Sequence, residues 1–261
     1  MTSYEEHALK IDFHETDTMI EGFSIFLLLA FLAEVLGTVS GFGSSILFVP
    51  VASLYFDFKT VLGVTAVFHV FSNVSKIFLF RKGVDKAIVL KLGIPAVVLV
   101  IVGAVITTYL PSAQIELGMN IILLLLAIYL VINFNKTVRQ TNTNLYLGGA
   151  LSGFIAGIAG SGGAIRGITL TAFHLSKDVF IATSAFIDLG VDLSRAVVYT
   201  SNGYFSKQYI FLIPFLIGIS ILGSYVGKLI LKRTSEKVFR YLVLGVIVLT
   251  AGIQITKYFL G

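Results

Sequence analysis

Arg166 closes the glycine-rich stretch GIAGSGGAIRG, residues 157 to 167, and the apolar run after it carries Asp188, Asp192 and Arg195 at i, i+4 and i+7. On a helix that spacing puts all three on one face. Earlier in the chain His69, Asn73 and Lys76 repeat the same spacing in another apolar run. Charged groups set this way in apolar sequence hold a small anion, neutralise one another as ion pairs, or move protons.

An arginine at mid-membrane costs at least ~2.5 to 3.5 kcal/mol on insertion scales, so Arg166 needs an anionic ligand or a carboxylate, Asp188 or Asp192. The glycines before it let the chain open and a ligand approach the backbone. The half-helix that follows then offers free amides and a positive dipole end. A second cluster, SGFGSSILFVP at residues 40 to 50, has the same character without the arginine. The candidate anion-binding residues are therefore Arg166, Arg195, Lys76 and Asn73, with Gly43, Ser44, Ser45, Ser161, Gly162 and Gly163 at the two clusters. Asp188, Asp192, Glu34 and His69 are candidates for proton coupling or for ion pairing with the cations.

Other chemistry is poorly served. An intramembrane hydrolase could use Ser161 with His69 or His174, but a GxSG motif needs glycine at 159, where this chain has alanine. The histidines, His7, His14, His69 and His174, are scattered and there is no cysteine, so no metal and no cofactor is expected. A passive anion channel uses the same residue types as a carrier and stays open as an alternative.

The elements that must position these residues lie in a membrane. Of 261 residues 56% are hydrophobic and 13% charged, which a soluble domain of this length does not tolerate. Apolar runs fall near 20 to 56, 59 to 80, 88 to 110, 117 to 134, 145 to 173, 178 to 200, 208 to 231 and 239 to 259, most of them matching the ~20 residues that cross a bilayer. The first 19 residues are acidic and lack the basic start of a signal peptide, so they read as a polar tail. The net charge of +5 sits in short loops between spans, which fits positive-inside orientation rather than nucleic acid. Without tryptophan, tyrosines such as Tyr55, Tyr109, Tyr146, Tyr199, Tyr204, Tyr209, Tyr241 and Tyr258 are the expected interfacial aromatics.

At an offset of 119 positions the halves agree: Gly41 falls on Gly160, Gly43 on Gly162, Thr65 on Ser184, Ser75 on Ser194, Lys76 on Arg195 and Pro95 on Pro214. A single offset that preserves all of these implies duplication, with repeats at 20–134 and 145–261 joined by a polar linker, 135–144. The basic loops 81 to 91, 133 to 144 and 228 to 240 should all face the cytoplasm. Three full crossings between the second and third would separate them. The conflict disappears if 145 to 173 enters the membrane, breaks at its glycines and returns. By the repeat, 20 to 56 is a hairpin entering from outside. The expected fold is therefore an all-α polytopic membrane protein with two inverted repeats, each a glycine-broken hairpin plus about three full spans. Both termini should then face outside.

The motifs GTVSGFGSSILFVPVASLYF (37 to 56) and GALSGFIAGIAGSGGAIRGITLTAF (149 to 173), with the Val49-Pro50 pair, resemble the TauE/SafE family of sulfite and organosulfonate exporters. The likeness runs over essentially residues 20 to 260. It departs from a fully glycine pattern at Ser44 and Ser45, and Thr169 stands where the repeat calls for proline. The resemblance implies export of sulfite, sulfoacetate or related organosulfonates across the bacterial inner membrane, and allows a homodimer. Residue chemistry alone stops at a small-anion carrier.

Overall fold

Apolar runs of helix-forming and β-branched residues become helices in lipid because every backbone polar group must be satisfied within the segment. The computed structural model of the protein describes residues 16–81, 83–132, 139–233 and 256, and its regular elements are all helical. The expected span at 239 to 259, Tyr241, Tyr258 and the C-terminus at Gly261 lie outside the described residues, as do residues 1–15 of the polar tail. The helix that follows the tail starts at Thr16, four residues earlier than expected.

Helix α1 (Thr16–Ser40) breaks and continues as the short α2 (Ser45–Ala52). Next come α3 (Phe58–Leu79) and a composite span made of α4 (Lys86–Ile88), a π turn (Val89–Gly93), α5 (Ile94–Ile106) and a 3₁₀ turn, followed by α6 (Ser112–Ile132). The second half repeats the order: α7 (Asn142–Ala159), the short α8 (Gly163–Thr171), α9 (Lys177–Ser201) and α10 (Leu212–Leu231). Among the described residues four helical segments, Gly22–Ser40, Phe58–Leu79, Lys86–Tyr109 and Leu212–Leu231, are long and apolar enough to cross a membrane. Their outward side chains, including Leu28, Leu32, Ile94, Val98, Leu222 and Leu229, are exposed aliphatics suited to lipid, while polar groups turn inward.

Both breaks rest on a left-handed glycine. Gly41 has φ +69° and Gly160 +71°, a conformation that L side chains resist. Each glycine amide closes the last turn of its helix, on the carbonyls of Gly37 (3.2 Å) and Ala156 (3.0 Å).

Packing follows the offset seen in the sequence. Helix α1 packs on α10 and α7 on α5; α3 packs on α10 and α9 on α5; α3 and α9, like α2 and α8, pack on each other. When the halves are exchanged, each of these pairs becomes another of them or, for α3 with α9 and α2 with α8, itself. At one end of the molecule Lys228 donates to the Leu79 carbonyl, Lys91 donates to Asn142 Oδ1 at 2.8 Å, and Phe173 and Leu175 pack near Ile88, Leu92 and Leu145. At the other end Phe23 meets Phe211 and Phe215, and Phe56 stacks edge-on to Tyr209 at 5.3 Å. Hairpin α7–α8 begins and ends at the basic end; hairpin α1–α2 begins and ends at the aromatic end.

Not every glycine of the second motif serves the break. Gly149, Gly153 and Gly157 form a stripe on α7, and a β-carbon on them would strike the carbonyls of Leu92 in the π turn and of Ala96 and Val100 on α5, respectively. Close backbone approach of this kind binds helices in lipid, where apolar side chains gain nothing from leaving solvent. Gly153→Val should therefore lower stability in detergent by about 1–3 kcal/mol. Gly218→Ala, where a β-carbon meets nothing within 4 Å, should leave the thermal midpoint unchanged or raised.

Pro95 and Pro214 read from sequence as kinks or hinges. Pro95 lies inside the composite span directly after the π turn, a local widening of the helix at the place where the proline ring must be accommodated, and Pro214 lies in the first turn of α10, where a missing amide costs least.

Candidate functional site

Helix α3 starts at Asp57, whose carboxylate accepts from the Thr60 amide at 3.1 Å, and its polar face brings His69, Asn73 and Lys76 inward, all buried. Helix α9 turns Asp188, Asp192 and Arg195 to the same interior. The stripes meet where Asn73 Nδ2 donates to Asp192 Oδ2 at 2.6 Å. These two residues are 119 positions apart, the offset at which the two halves of the sequence agree, so each touches the residue at its own matching position.

The two breaks close on this contact from either side. Ser45 Oγ is 3.4 Å from Ser161 Oγ, linking one break to the other. Ser44, just before α2, and Gly162, just before α8, make no side-chain cap. The first-turn amides of both short helices, with their positive dipole ends, therefore point at the centre without a side-chain acceptor of their own.

Two small cavities flank the centre, each with room for about one water molecule. One is lined by Ala156, Gly160, Gly162, His69, Asp192 and Arg195, among others. Shifting those six by 119 gives Gly37, Gly41, Gly43, Asp188, Asn73 and Lys76, all of which line the second. Ser45 and Gly163 line the first cavity and Ser184 the second.

All three interior cations have carboxylate partners. Lys76 Nζ lies 3.0 Å from Glu34 Oε1, Arg195 Nε donates to Asp192 Oδ1 at 2.7 Å, and Arg166 Nη1 donates to Asp188 Oδ1. Of the two acids open to Arg166 in the sequence, Asp188 takes the bond, and Ser184 holds Arg166 Nε at 2.9 Å. Arg166 Nη2, on a residue only 3% exposed, has no hydrogen-bond partner. It points between the breaks: a β-carbon built on Gly43 or on Gly163 would lie 3.3 Å from it. An orphaned, buried guanidinium donor costs about 1–3 kcal/mol or more unless something fills its position. The other orphan among the described residues is Thr65 Oγ1, at the position matching Ser184.

Arg195 has a further task. Its Nη1 donates to the Gly160 carbonyl at 2.6 Å, and Tyr199 Oη donates to the Gly157 carbonyl at 2.6 Å. Together they satisfy carbonyls that the break of α7 leaves open. Tyr199, expected as an interfacial aromatic, is wholly buried and stacks on Tyr204 at 5.5 Å. An arginine and a tyrosine four residues apart in the last third of a long helix gave no sign of this, because the acceptors sit on another helix.

Glu34 is fully buried and accepts from Ser44, Ser72, Ser224 and Thr38 as well as Lys76. Ser72 shares a helical face with Lys76 and was open to detection by spacing. Ser224 lies 190 positions from Glu34, and no sequence signal links them. Ser44 itself bonds Glu34 Oε2 at 2.5 Å and His69 Nε2 at 2.9 Å, so its hydroxyl turns away from both cavities.

A nucleophilic centre does not form at Ser161. Its hydroxyl meets Ser45, His69 meets Ser44, and His174 lies in the turn after α8. Among the described residues no group of histidines and carboxylates could hold a metal ion. The arrangement instead has the parts of an oxyanion cradle: an orphaned guanidinium donor, two facing helix N-termini, and hydroxyls at each break.

A family profile described as Sulfite exporter TauE/SafE matches residues 26–253 of the chain. No curated protein and no solved structure matches it.

Proposed function

The chain belongs to the sulfite exporter TauE/SafE family, which comprises membrane transporters and not enzymes, and from that premise we propose that it exports small sulfur-containing anions such as sulfite, sulfoacetate or other organosulfonates across the bacterial inner membrane. Arg166 Nη2 carries the reading. It is a buried cationic donor without an acceptor, held where α2 and α8 aim their N-termini, and an oxyanion supplies the missing acceptor. Lys76, Arg195 and Asn73 surround that position, with the amides near Gly43, Ser44, Gly162 and Gly163 and the hydroxyls of Ser45 and Ser161.

Transport proceeds by alternating access between inverted repeats. Supporting this are the exchange-symmetric packing, the Asn73–Asp192 contact and the opposite ends from which the two hairpins start. Each flanking cavity is the route to one side, and giving way of the adjacent break opens it. Occluded, water-sized cavities and closed ion pairs favour a carrier over a passive channel. Saturable flux with counterflow is expected; flux that rises without saturating would show a pore.

Sulfite, sulfoacetate, taurine, sulfate and carboxylates should be compared for thermal stabilisation of the purified protein. A ligand at 100 times its Kd adds about 2.7 kcal/mol. Sulfite or a sulfonate should raise the midpoint most, and a response confined to cations overturns the reading.

Topology has its own test, since the natural chain has no cysteine. Cysteine placed at exposed Ser206 should react with an impermeant thiol reagent on intact cells, and cysteine at exposed Thr143 only after the cells are opened. The reverse pattern inverts the orientation; labelling of both from outside removes the hairpin topology.

A further inference from the structure

Glu34, Ser44 and His69 contain a proton-counting problem that the ion pairs do not solve. The Thr65 carbonyl can only accept, so His69 Nδ1, 2.7 Å away, carries a proton. Ser44 Oγ then stands 2.9 Å from His69 Nε2 and 2.5 Å from Glu34 Oε2. A hydroxyl has one proton to donate. With Glu34 ionised and His69 neutral, Ser44 faces two acceptors, and one of the two short contacts sets lone pair against lone pair.

One additional proton resolves both contacts. Placed on Glu34 Oε2, it donates to Ser44 Oγ while the serine hydroxyl donates to His69 Nε2. Placed on His69 Nε2, it donates to Ser44 Oγ while the hydroxyl donates to Glu34 Oε2. The two arrangements interchange by shifting two protons along one line, with no heavy atom displaced, so the three side chains titrate as a unit.

The neighbours leave Oε2 free for that proton. Thr38 (3.3 Å), Ser72 (2.8 Å), Ser224 (2.7 Å) and the Lys76 ammonium (3.0 Å) all address Oε1, from α1, α3 and α10. From α9, Asp192 and Arg195 line the same cavity as His69, and Lys228 on α10 turns instead to the Leu79 carbonyl. Neither α2 nor the break before it carries a charged side chain.

We propose that Glu34, Ser44 and His69 form a one-proton relay and that its loaded state is the one that accepts the anion. This rests on the anion-carrier reading above. Without the extra proton, Lys76, Arg166 and Arg195 are balanced by Glu34, Asp188 and Asp192, and an entering monoanion would leave an uncompensated charge in a low-dielectric interior. With it, the site is one charge positive and the monoanion makes it neutral. Ser44 immediately precedes α2 and lies between Gly43 and Ser45, which line the cavities, so the relay acts on the break itself. Duplication does not account for it: the matching positions in the second half are Gly153, Gly163 and Asp188.

The test uses methanesulfonate, whose own charge is constant over the working range. Titration calorimetry on the purified full chain, in buffers of different ionisation heat, should show about one proton taken up per anion at pH above the relay's titration, with affinity falling about tenfold per pH unit there. Glu34→Gln should remove the uptake and flatten the affinity profile. If that variant does not fold, the wild-type proton count still decides. Binding by the wild type with no uptake and no pH dependence overturns the relay and leaves the carrier reading intact. Undiminished uptake by Glu34→Gln moves the proton to another group and overturns the assignment. Absence of binding by sulfite and by every sulfonate at any pH overturns the carrier reading, and the relay's role with it.

Discussion

Arg166→Ala should abolish anion binding and transport, while Lys86→Ala, on an exposed side chain at the basic end, should leave both within about twofold of wild type. The guanidinium is the donor that lacks an acceptor, and a charge-assisted hydrogen bond to an oxyanion is worth about 1.5–3 kcal/mol, or roughly ten- to a hundredfold in affinity. Loss of the neighbouring positive charge against a bound anion adds to that. The simple variant also strands Asp188, whose bond to Arg166 is its ion pair, so reduced stability could imitate lost binding. The double variant Arg166→Gln with Asp188→Asn separates the effects. It removes both charges together and keeps polar groups in place, so the fold should recover while binding does not. Measured by ligand-induced thermal shift and by counterflow into proteoliposomes, normal transport by the double variant would remove Arg166 from the site.

Asp192→Ala should be the most destabilising single change among the interior acids, by about 3–5 kcal/mol, because it leaves Arg195 buried without its carboxylate. Arg195 is only 1% exposed and also holds the Gly160 carbonyl, so its displacement loosens the break. Asn73 loses its acceptor at the same time. A thermal melt in detergent reads the loss. Replacing the pair together, Asp192→Leu with Arg195→Met, should recover much of the midpoint, since a buried ion pair exchanged for apolar groups of similar volume is often neutral or stabilising. Transport should not recover, because the Gly160 carbonyl remains without its donor. Recovery of transport as well would show that Arg195 acts only as the partner of Asp192.

The helical class, the membrane setting and the polar stripes were legible in the chain itself. Helical periodicity and burial of charge are local matters: three residues at i, i+4 and i+7 share a face whatever the helix packs against, and an acid in an apolar run must turn inward. Position-by-position agreement at an offset of 119 likewise needs no coordinates, and the matching left-handed φ at Gly41 and Gly160 follows from it. Arg166 announced its need for an anion or an acid by its place beyond a glycine cluster.

The sequence could not say which partner each charge takes. Asp188 and Asp192 are one helical turn apart, and their assignment to Arg166 and Arg195 depends on how α8 lies against α9. Gly149, Gly153 and Gly157 look like the glycines of the break until α5 is placed against them. Ser224 and Tyr199 are anonymous until α10 meets α1 and α9 meets α7. SGFGSS showed that a helix would break, but not that Ser44 would turn to Glu34 and His69 while Ser45 turned to the opposite break. Residue type and periodicity govern what a helix buries. Hydrogen-bond partners on different helices are chosen by the packing of whole helices, and that packing exists only in the folded protein.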